Sequence, residues 1–247
     1  VNNSSTIYEG TLFIDNMIDY LKVEPTVVPS VDPPRKPENG IPHTIEFCNV
    51  SFAYPGTETR VIDRVSFKLE GGKSYVLVGL NGAGKTTLIK LMTRLYDPTE
   101  GEILLDGVNI KEYDVGELYD LFGIVFQDYQ LLSDRDVFGN LHYVMKATGW
   151  KNETDMRKRI EEVLSVVGLE NKAFKMPFEL SGGQQQRLAV ARALVNNPRV
   201  ILADEPTGNL DPWAAEDIME GFLRIVAPTS SNSRHVRYVL TKGRSKR

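Results

Sequence analysis

Residues 79–87 read GLNGAGKTT, a match to the spacing GxxxxGK[ST]. An apolar run, Ser74–Val78, precedes the match and a helical pattern, Thr86–Leu95, follows it. Strand, glycine-rich loop and helix in this order make a phosphate cradle. Gly79, Gly82 and Gly84 permit backbone angles that turn successive N–H groups inward, and the start of the helix points its positive end at an anion. Lys85 is expected to neutralise β and γ phosphates, and Thr86 to offer its hydroxyl to Mg²⁺. The residues expected to touch a nucleotide here are Gly79, Asn81, Gly82, Ala83, Gly84, Lys85, Thr86 and Thr87.

A second acidic element fits the first. The run Arg199–Ala203 is apolar in the manner of a strand buried on both faces of a parallel sheet, and Asp204 and Glu205 follow it directly. They therefore emerge at the carboxyl end of a strand, where α/β sheets place their ligands. Asp204 suits the metal side of a phosphate site. Glu205, beside the metal but not bound to it, suits a general base for the water that attacks the γ phosphate.

Composition bounds the partners. The chain has 247 residues, 41% hydrophobic and 25% charged, enough for one sizeable α/β domain with an appendage. A net charge of −4 gives no broad cationic field, so nucleic acid is not an expected partner. Cys48 is the only cysteine, which excludes an internal disulfide and any cysteine-based metal cluster. No apolar run approaches the roughly 18 to 20 residues of a membrane span, and no secretory leader is expected.

Outward from the cradle, the pattern divides the chain. Residues 11–22 place Leu12, Phe13, Ile14, Met17, Ile18 and Leu21 on one helical face. From Glu24 to Pro42 proline recurs, and an extended spacer is expected, with the domain boundary near Thr44. Thr44–Phe52 and Val65–Leu69 alternate as half-buried strands joined by a turn at Tyr54, Pro55 and Gly56, which predicts an antiparallel edge sheet. Residues 137–180 read as mostly helical, with Met156, Ile160, Val163, Leu164 and Val167 as one stripe closed by Gly168. Arg187–Val195 is a further helix. The expected class is α/β: a P-loop NTPase core with an antiparallel β edge subdomain and a helical subdomain at about 128–180.

The segment LSGGQQQR at Leu180–Arg187 resembles the signature motif of ABC (ATP-binding cassette) ATPases. Ser181, Gly182 and Gly183 open a helix and form a second anion cap, separate from the first. In that family the second cap closes over ATP held by a facing subunit. The resemblance therefore implies Ser181, Gly182, Gly183 and Gln184 as ATP contacts in trans, and a dimer of ATPase domains, homo- or heterodimeric. It covers about Ile45 to Ile225. Tyr54 matches the aromatic that stacks on adenine, with a strand-end core tyrosine as the alternative. Gln127, in GIVFQDYQLL, matches the glutamine that reaches Mg²⁺ and the attacking water, with a surface amide as the alternative. Asn209, Leu210 and Asp211 match a turn that crosses the dimer, although Asp211 is equally suited to capping a helix.

The two halves resemble different relatives. Residues 1–127 are similar to exporter-type half-transporters and residues 128–225 to the cell-division ABC ATPase FtsE. The resemblance implies an ATP hydrolase that uses Mg²⁺, a membrane domain or subunit as partner, and a place at the cytoplasmic face of the membrane. Its catalytic residues would be Glu205, Gln127 and Lys85, and its metal-side residues Thr86, Gln127 and Asp204. One departure stands out. The family has a strand ending in Thr-His whose histidine senses the γ phosphate, whereas VRYVLTK here ends in Thr241 and Lys242. His235 precedes that strand, so the histidine's role is not carried over, and turnover is in question. A lysine is a point cation without the donor and acceptor of a neutral imidazole. The family also continues through more strand and helix than a chain ending at Arg247 contains.

Overall fold

A computed structural model describes residues 26–38, 40–206 and, for the backbone, 237–244. The amphipathic pattern at 11–22, the turn Asn209–Asp211 and His235 lie outside the described residues.

Two sheets organise the domain. In the first, β1 (Ile45–Ala53), β2 (Arg60–Leu69), β4 (Glu100–Leu105) and β5 (Val108–Asn109) stand in the order β2-β1-β4-β5. All of these pairs are antiparallel, with Ile45 opposite Leu69 on one side and opposite Leu105 on the other. This is the expected edge sheet. β2 begins five residues earlier than its alternating pattern suggested, because Arg60 and Asp63 belong to its exposed end and hide the period.

The second sheet is parallel. It holds β3 (Tyr75–Leu80), β8 (Arg237–Arg244), β7 (Val200–Ala203) and β6 (Phe122–Val125) in the order β3-β8-β7-β6. β7 is VILA, buried at all four positions, as a continuous apolar strand inside a parallel sheet should be. Helix α1 (Lys85–Met92) follows β3, and its inner face buries Ile89, Leu91 and Met92 against Phe47, Phe52 and Ile103 of the first sheet. Helix α2 (Val115–Leu121) leads into β6, with Asp114 capping it through the Glu117 N–H.

The helical subdomain comprises α3 (Val137–Ala147), α4 (Glu153–Val166) and two 3₁₀ turns at 170–172 and 177–179. Met156, Ile160, Val163 and Leu164, the stripe expected from the sequence, are buried against Leu141 and Met145 of α3. At about 2 to 3 kcal/mol for each fully buried large aliphatic side chain, this stripe holds the pair together. Helix α5 (Gly182–Leu194) lies against both the subdomain and the parallel sheet, burying Leu188, Ala189, Val190 and Ala191 in the same core. A Cβ at Gly123 of β6 would meet the Ala193 carbonyl at 2.4 Å, so the glycine lets the last turn of α5 sit directly on the strand.

Residues 28–36 bond to the domain. Arg94, two residues beyond α1 and 1% exposed, donates to the carbonyls of Val28 and Tyr113 and pairs with Asp97 at 3.1 Å. Ser30 N–H donates to the Lys111 carbonyl at 2.7 Å, and Arg35 N–H to the Glu112 carbonyl at 2.9 Å. The proline-rich spacing that predicts an extended segment also leaves it free to lie along another surface.

Candidate functional site

The carboxyl ends of the parallel strands carry four chemically active side chains into one place. The loop after β3 turns through Gly82 and Gly84, both in the left-handed region at φ 81° and 85°. Gly84 caps α1, and a Cβ there would approach Ile62 Cδ1 to 2.7 Å, so glycine is required by both angle and space. Lys85 follows and is buried at 8% exposure. Its Nζ curls back to the carbonyls of Gly79 and Leu80 at 3.1 and 3.0 Å and meets Glu205 Oε1 at 3.1 Å.

Thr86 lies beside it, its hydroxyl donating to Asp204 Oδ2 in a short hydrogen bond. Asp204 is buried and extends β7, its N–H donating to the Val125 carbonyl of β6 at 2.8 Å. Glu205 next in the chain has φ 44°, a left-handed conformation that costs a non-glycine residue roughly 1 kcal/mol or more. That turn swings its carboxylate from the strand end to Lys85. Lys85, Thr86, Asp204 and Glu205 thus form one cluster: a cation, a hydroxyl and two carboxylates around the N-terminus of α1.

Such a cluster suits a polyphosphate and a hard divalent ion. Free N–H groups and an ammonium favour phosphate oxygens, while the Thr86 hydroxyl and the Asp204 carboxylate are oxygen donors of the type magnesium takes. Among the described residues no group of three His, Cys, Asp or Glu side chains is placed to cage a metal. An ion held here would therefore draw much of its shell from phosphate and water.

The remaining expected residues surround the cluster. Tyr54 ends β1 and its hydroxyl meets Thr87 Oγ1 at 3.1 Å, which sets the ring on the flank of α1. It packs edge-on against Phe52 and Tyr96, with Lys90 Nζ 5.4 Å from its centroid, and it remains partly exposed. Gln127 is exposed in the turn that follows β6, two residues after Val125, and so lies just beyond the strand that pairs with β7, the strand Asp204 follows. Ser181 and Gln184 cap α5 reciprocally: Gln184 N–H donates to Ser181 Oγ at 3.4 Å and Ser181 N–H to Gln184 Oε1 at 3.1 Å. Ser181 and Gly182 are exposed, so this second helix start faces outward. Asn81 and Ala83 are exposed on the loop itself. β8 runs parallel to β3 with Lys242 opposite Val78 and Gly243 opposite Gly79, which brings the Thr241–Lys242 backbone to the same end of the sheet.

Two features were not visible in the sequence. The Lys85–Glu205 pair joins residues expected to act on different partners, and only the left-handed turn at Glu205 makes it possible. Arg192 of α5 donates to the carbonyls of Tyr129 and Gln130 beside Gln127. An arginine late in a helix carries no signal of such a contact.

The ABC transporter family profile matches residues 62–208, from within β2 past the two carboxylates. The chain belongs to the ABC transporter family. It is 44% identical over 170 residues to the cell division ATP-binding protein FtsE of Streptococcus pneumoniae, covering 68% of this chain and 74% of FtsE. It is 41% identical over 176 residues to the methionine import ATP-binding protein MetN of Carboxydothermus hydrogenoformans, covering 70% of this chain and 52% of MetN. The chain thus spans about half the length of that importer protein. Among solved structures, a bacterial Atm1-family ABC exporter with ATP bound aligns with TM-score 0.76 at 28% identity, over 97% of this chain and 41% of the exporter. A dimeric ATP-binding cassette in a post-hydrolysis state bound to ADP and Pi aligns with TM-score 0.67 at 32% identity, over 80% and 87%. The ABC ATPase fold expected from the motifs is therefore the fold observed, and the chain is an ATP-binding domain of a family that hydrolyses ATP.

Proposed function

We propose that residues 44–247 are the ATPase domain of an ABC transporter, that residues 1–43 lead to it from a membrane-associated region, and that two such domains close head to tail around two Mg-ATP. The observation that carries this reading is the convergence of Lys85, Thr86, Asp204 and Glu205 at the carboxyl ends of β3 and β7. Lys85 binds the β and γ phosphates, which release it from the Gly79 and Leu80 carbonyls. The N–H groups of residues 81–87 bind the phosphate chain, and Tyr54 offers its face to the adenine. Thr86, Gln127 and Asp204 would hold Mg²⁺, which when bound neutralises charge on the β and γ oxygens. Glu205, once Lys85 has turned to phosphate, would accept the proton of the attacking water. Ser181, Gly182, Gly183 and Gln184 cap the γ phosphate of the partner's ATP.

Support for the dimer comes from the dimeric cassette it resembles and from the outward-facing helix start at Ser181. The membrane partner, and a place at the cytoplasmic face of the membrane, are supported by relatives that act in import or cell division. Lys242 follows Thr241 in the sequence as the family's histidine follows its threonine, and a lysine there would supply a cation without an imidazole's donor and acceptor, so slow turnover is the expected form of this ATPase. Analytical ultracentrifugation of Glu205→Gln tests the closed dimer. Doubling of mass on addition of Mg-ATP is expected, and a monomer at saturating ATP would contradict it.

A second reading is favoured by the FtsE relative: a regulatory ATPase that gates a membrane complex in cell division rather than moving cargo. ATP-dependent uptake by reconstituted vesicles would exclude it. ATP turnover stimulated by a membrane partner with no uptake would favour it.

A further inference from the structure

The turn bearing Gln127 is held at both ends. On one side, β6 pairs with β7, Val125 opposite Ala203, and the Val125 carbonyl accepts the Asp204 N–H at 2.8 Å. On the other, Tyr129 and Gln130 both adopt left-handed angles, φ 61° and 48°, although neither is glycine. Two consecutive residues in that region persist only where their surroundings impose it. Beside the backbone bonds from Tyr129 N–H to the Phe126 carbonyl and from Gln130 N–H to the Asp128 carbonyl, both residues bond to the Arg192 guanidinium. Its Nη2 donates to the Tyr129 carbonyl at 2.7 Å and its Nη1 to the Gln130 carbonyl, so one planar fork fixes both carbonyls at once. Arg192 is half-buried, and burial lowers its pKa, an effect Asp128 partly offsets.

Arg192 lies in the last turn of α5, the helix whose first turn carries the Ser181 cap. The same last turn presses on β6, since Gly123 leaves room there for the Ala193 carbonyl. We propose that Arg192 is a positioning residue for Gln127, and that α5 acts as a rigid rod joining the cap at one end to the Gln127 turn at the other. This rests on the head-to-tail reading above: the cap then senses the partner's nucleotide while Arg192 sets the glutamine of its own subunit's site. A shift of α5 on closure moves both ends together, because a 13-residue helix transmits an axial displacement along its length. The two sites of a dimer are thereby coupled.

The test uses Arg192→Met, which keeps the stem and removes the fork, Arg192→Lys, Gln127→Ala and the Gln127→Ala/Arg192→Met double variant. Two quantities are read: amide hydrogen exchange over residues 126–132, and steady-state ATP hydrolysis. Arg192→Met is expected to speed exchange in 126–132, and to lower kcat about tenfold or more with KM for ATP within about twofold. In the Gln127→Ala background it adds less than about twofold to the loss. Arg192→Lys, retaining the charge and one donor direction, should give the same pattern at smaller amplitude, and carries the test if the methionine variant does not fold. Unchanged exchange in 126–132 would overturn the proposal. So would a loss that multiplies fully with Gln127→Ala, because a general destabilisation acts independently of the glutamine. An unmodified chain that binds ATP without hydrolysing it would instead refute the ATPase reading, and the exchange measurement would still decide whether Arg192 sets the turn.

Discussion

Lys85 is the cation of the cradle. Its ammonium bonds to two carbonyls and to Glu205, and under the proposed function phosphate would take their place. A charge-assisted hydrogen bond is worth about 1.5 to 3 kcal/mol, so Lys85→Ala should weaken ATP binding about tenfold to a hundredfold in titration calorimetry. Unchanged affinity would separate Lys85 from the nucleotide. A second residue-scale effect concerns Asp106. Burial pushes its carboxyl pKa up, but the His43 side chain at 2.6 Å and the Thr44 N–H outweigh it and hold the pKa below the ordinary range. A carboxylate with a depressed folded pKa contributes stability that is present above its unfolded pKa of about 4 and lost as pH falls through the folded value. Asp106→Asn should therefore be less stable than the parent in urea unfolding at pH 5 to 7. The gap should close as pH falls below about 4; a gap independent of pH would contradict the assignment.

At the scale of elements, the helical subdomain depends on one amide. Asn140 of α3 is fully buried; its Oδ1 accepts from Leu132 N–H at 2.9 Å, and its Nδ2 donates to the carbonyls of Leu132, Arg135 and Asp136 at 3.0 Å each. This knits the loop between the Gln127 turn and α3 to the helix. Asn140→Ala strands several buried backbone groups and should cost about 2 to 4 kcal/mol in urea unfolding. Asn140→Asp should fare little better, since a carboxylate cannot donate. Both α4, with its stripe from Met156 to Val167, and the VILA strand β7 could be read in the sequence, because each carries its period or composition in full. Other elements were not legible in this way. The apolar period of α5 begins only at Arg187, whereas the helix starts at Gly182; its beginning is read from the signature motif at Ser181–Gly183 and not from hydrophobic spacing. β6 contains Gly123, a poor strand residue required by the contact with Ala193. The segment at 28–36 announces itself by proline as extended, yet its anchor is Arg94, sixty-six residues away from Val28. Such long-range contacts leave no local trace.

For the whole molecule, the order of motifs carried most of the information. A glycine-rich loop after one apolar strand and two carboxylates after another already require two parallel strands with their carboxyl ends together, and β3, β8, β7 and β6 satisfy that requirement. The antiparallel sheet then places Tyr54 on the flank of α1, and the helical subdomain leads into the exposed Ser181 cap. What could not be foreseen is the pairing of Lys85 with Glu205, a direct contact between two residues whose motifs lie more than a hundred positions apart. The central claim is that Glu205 acts as the base on water once phosphate has bound. The measurement that tests it most directly is ATP hydrolysis at saturating Mg-ATP by the unmodified chain and by Glu205→Gln, with equilibrium ATP binding measured on both. The account predicts measurable turnover in the first, a loss of roughly a hundredfold or more in the second, and ATP binding retained in both. Equal rates in the two chains, or binding with no turnover in either, would contradict it.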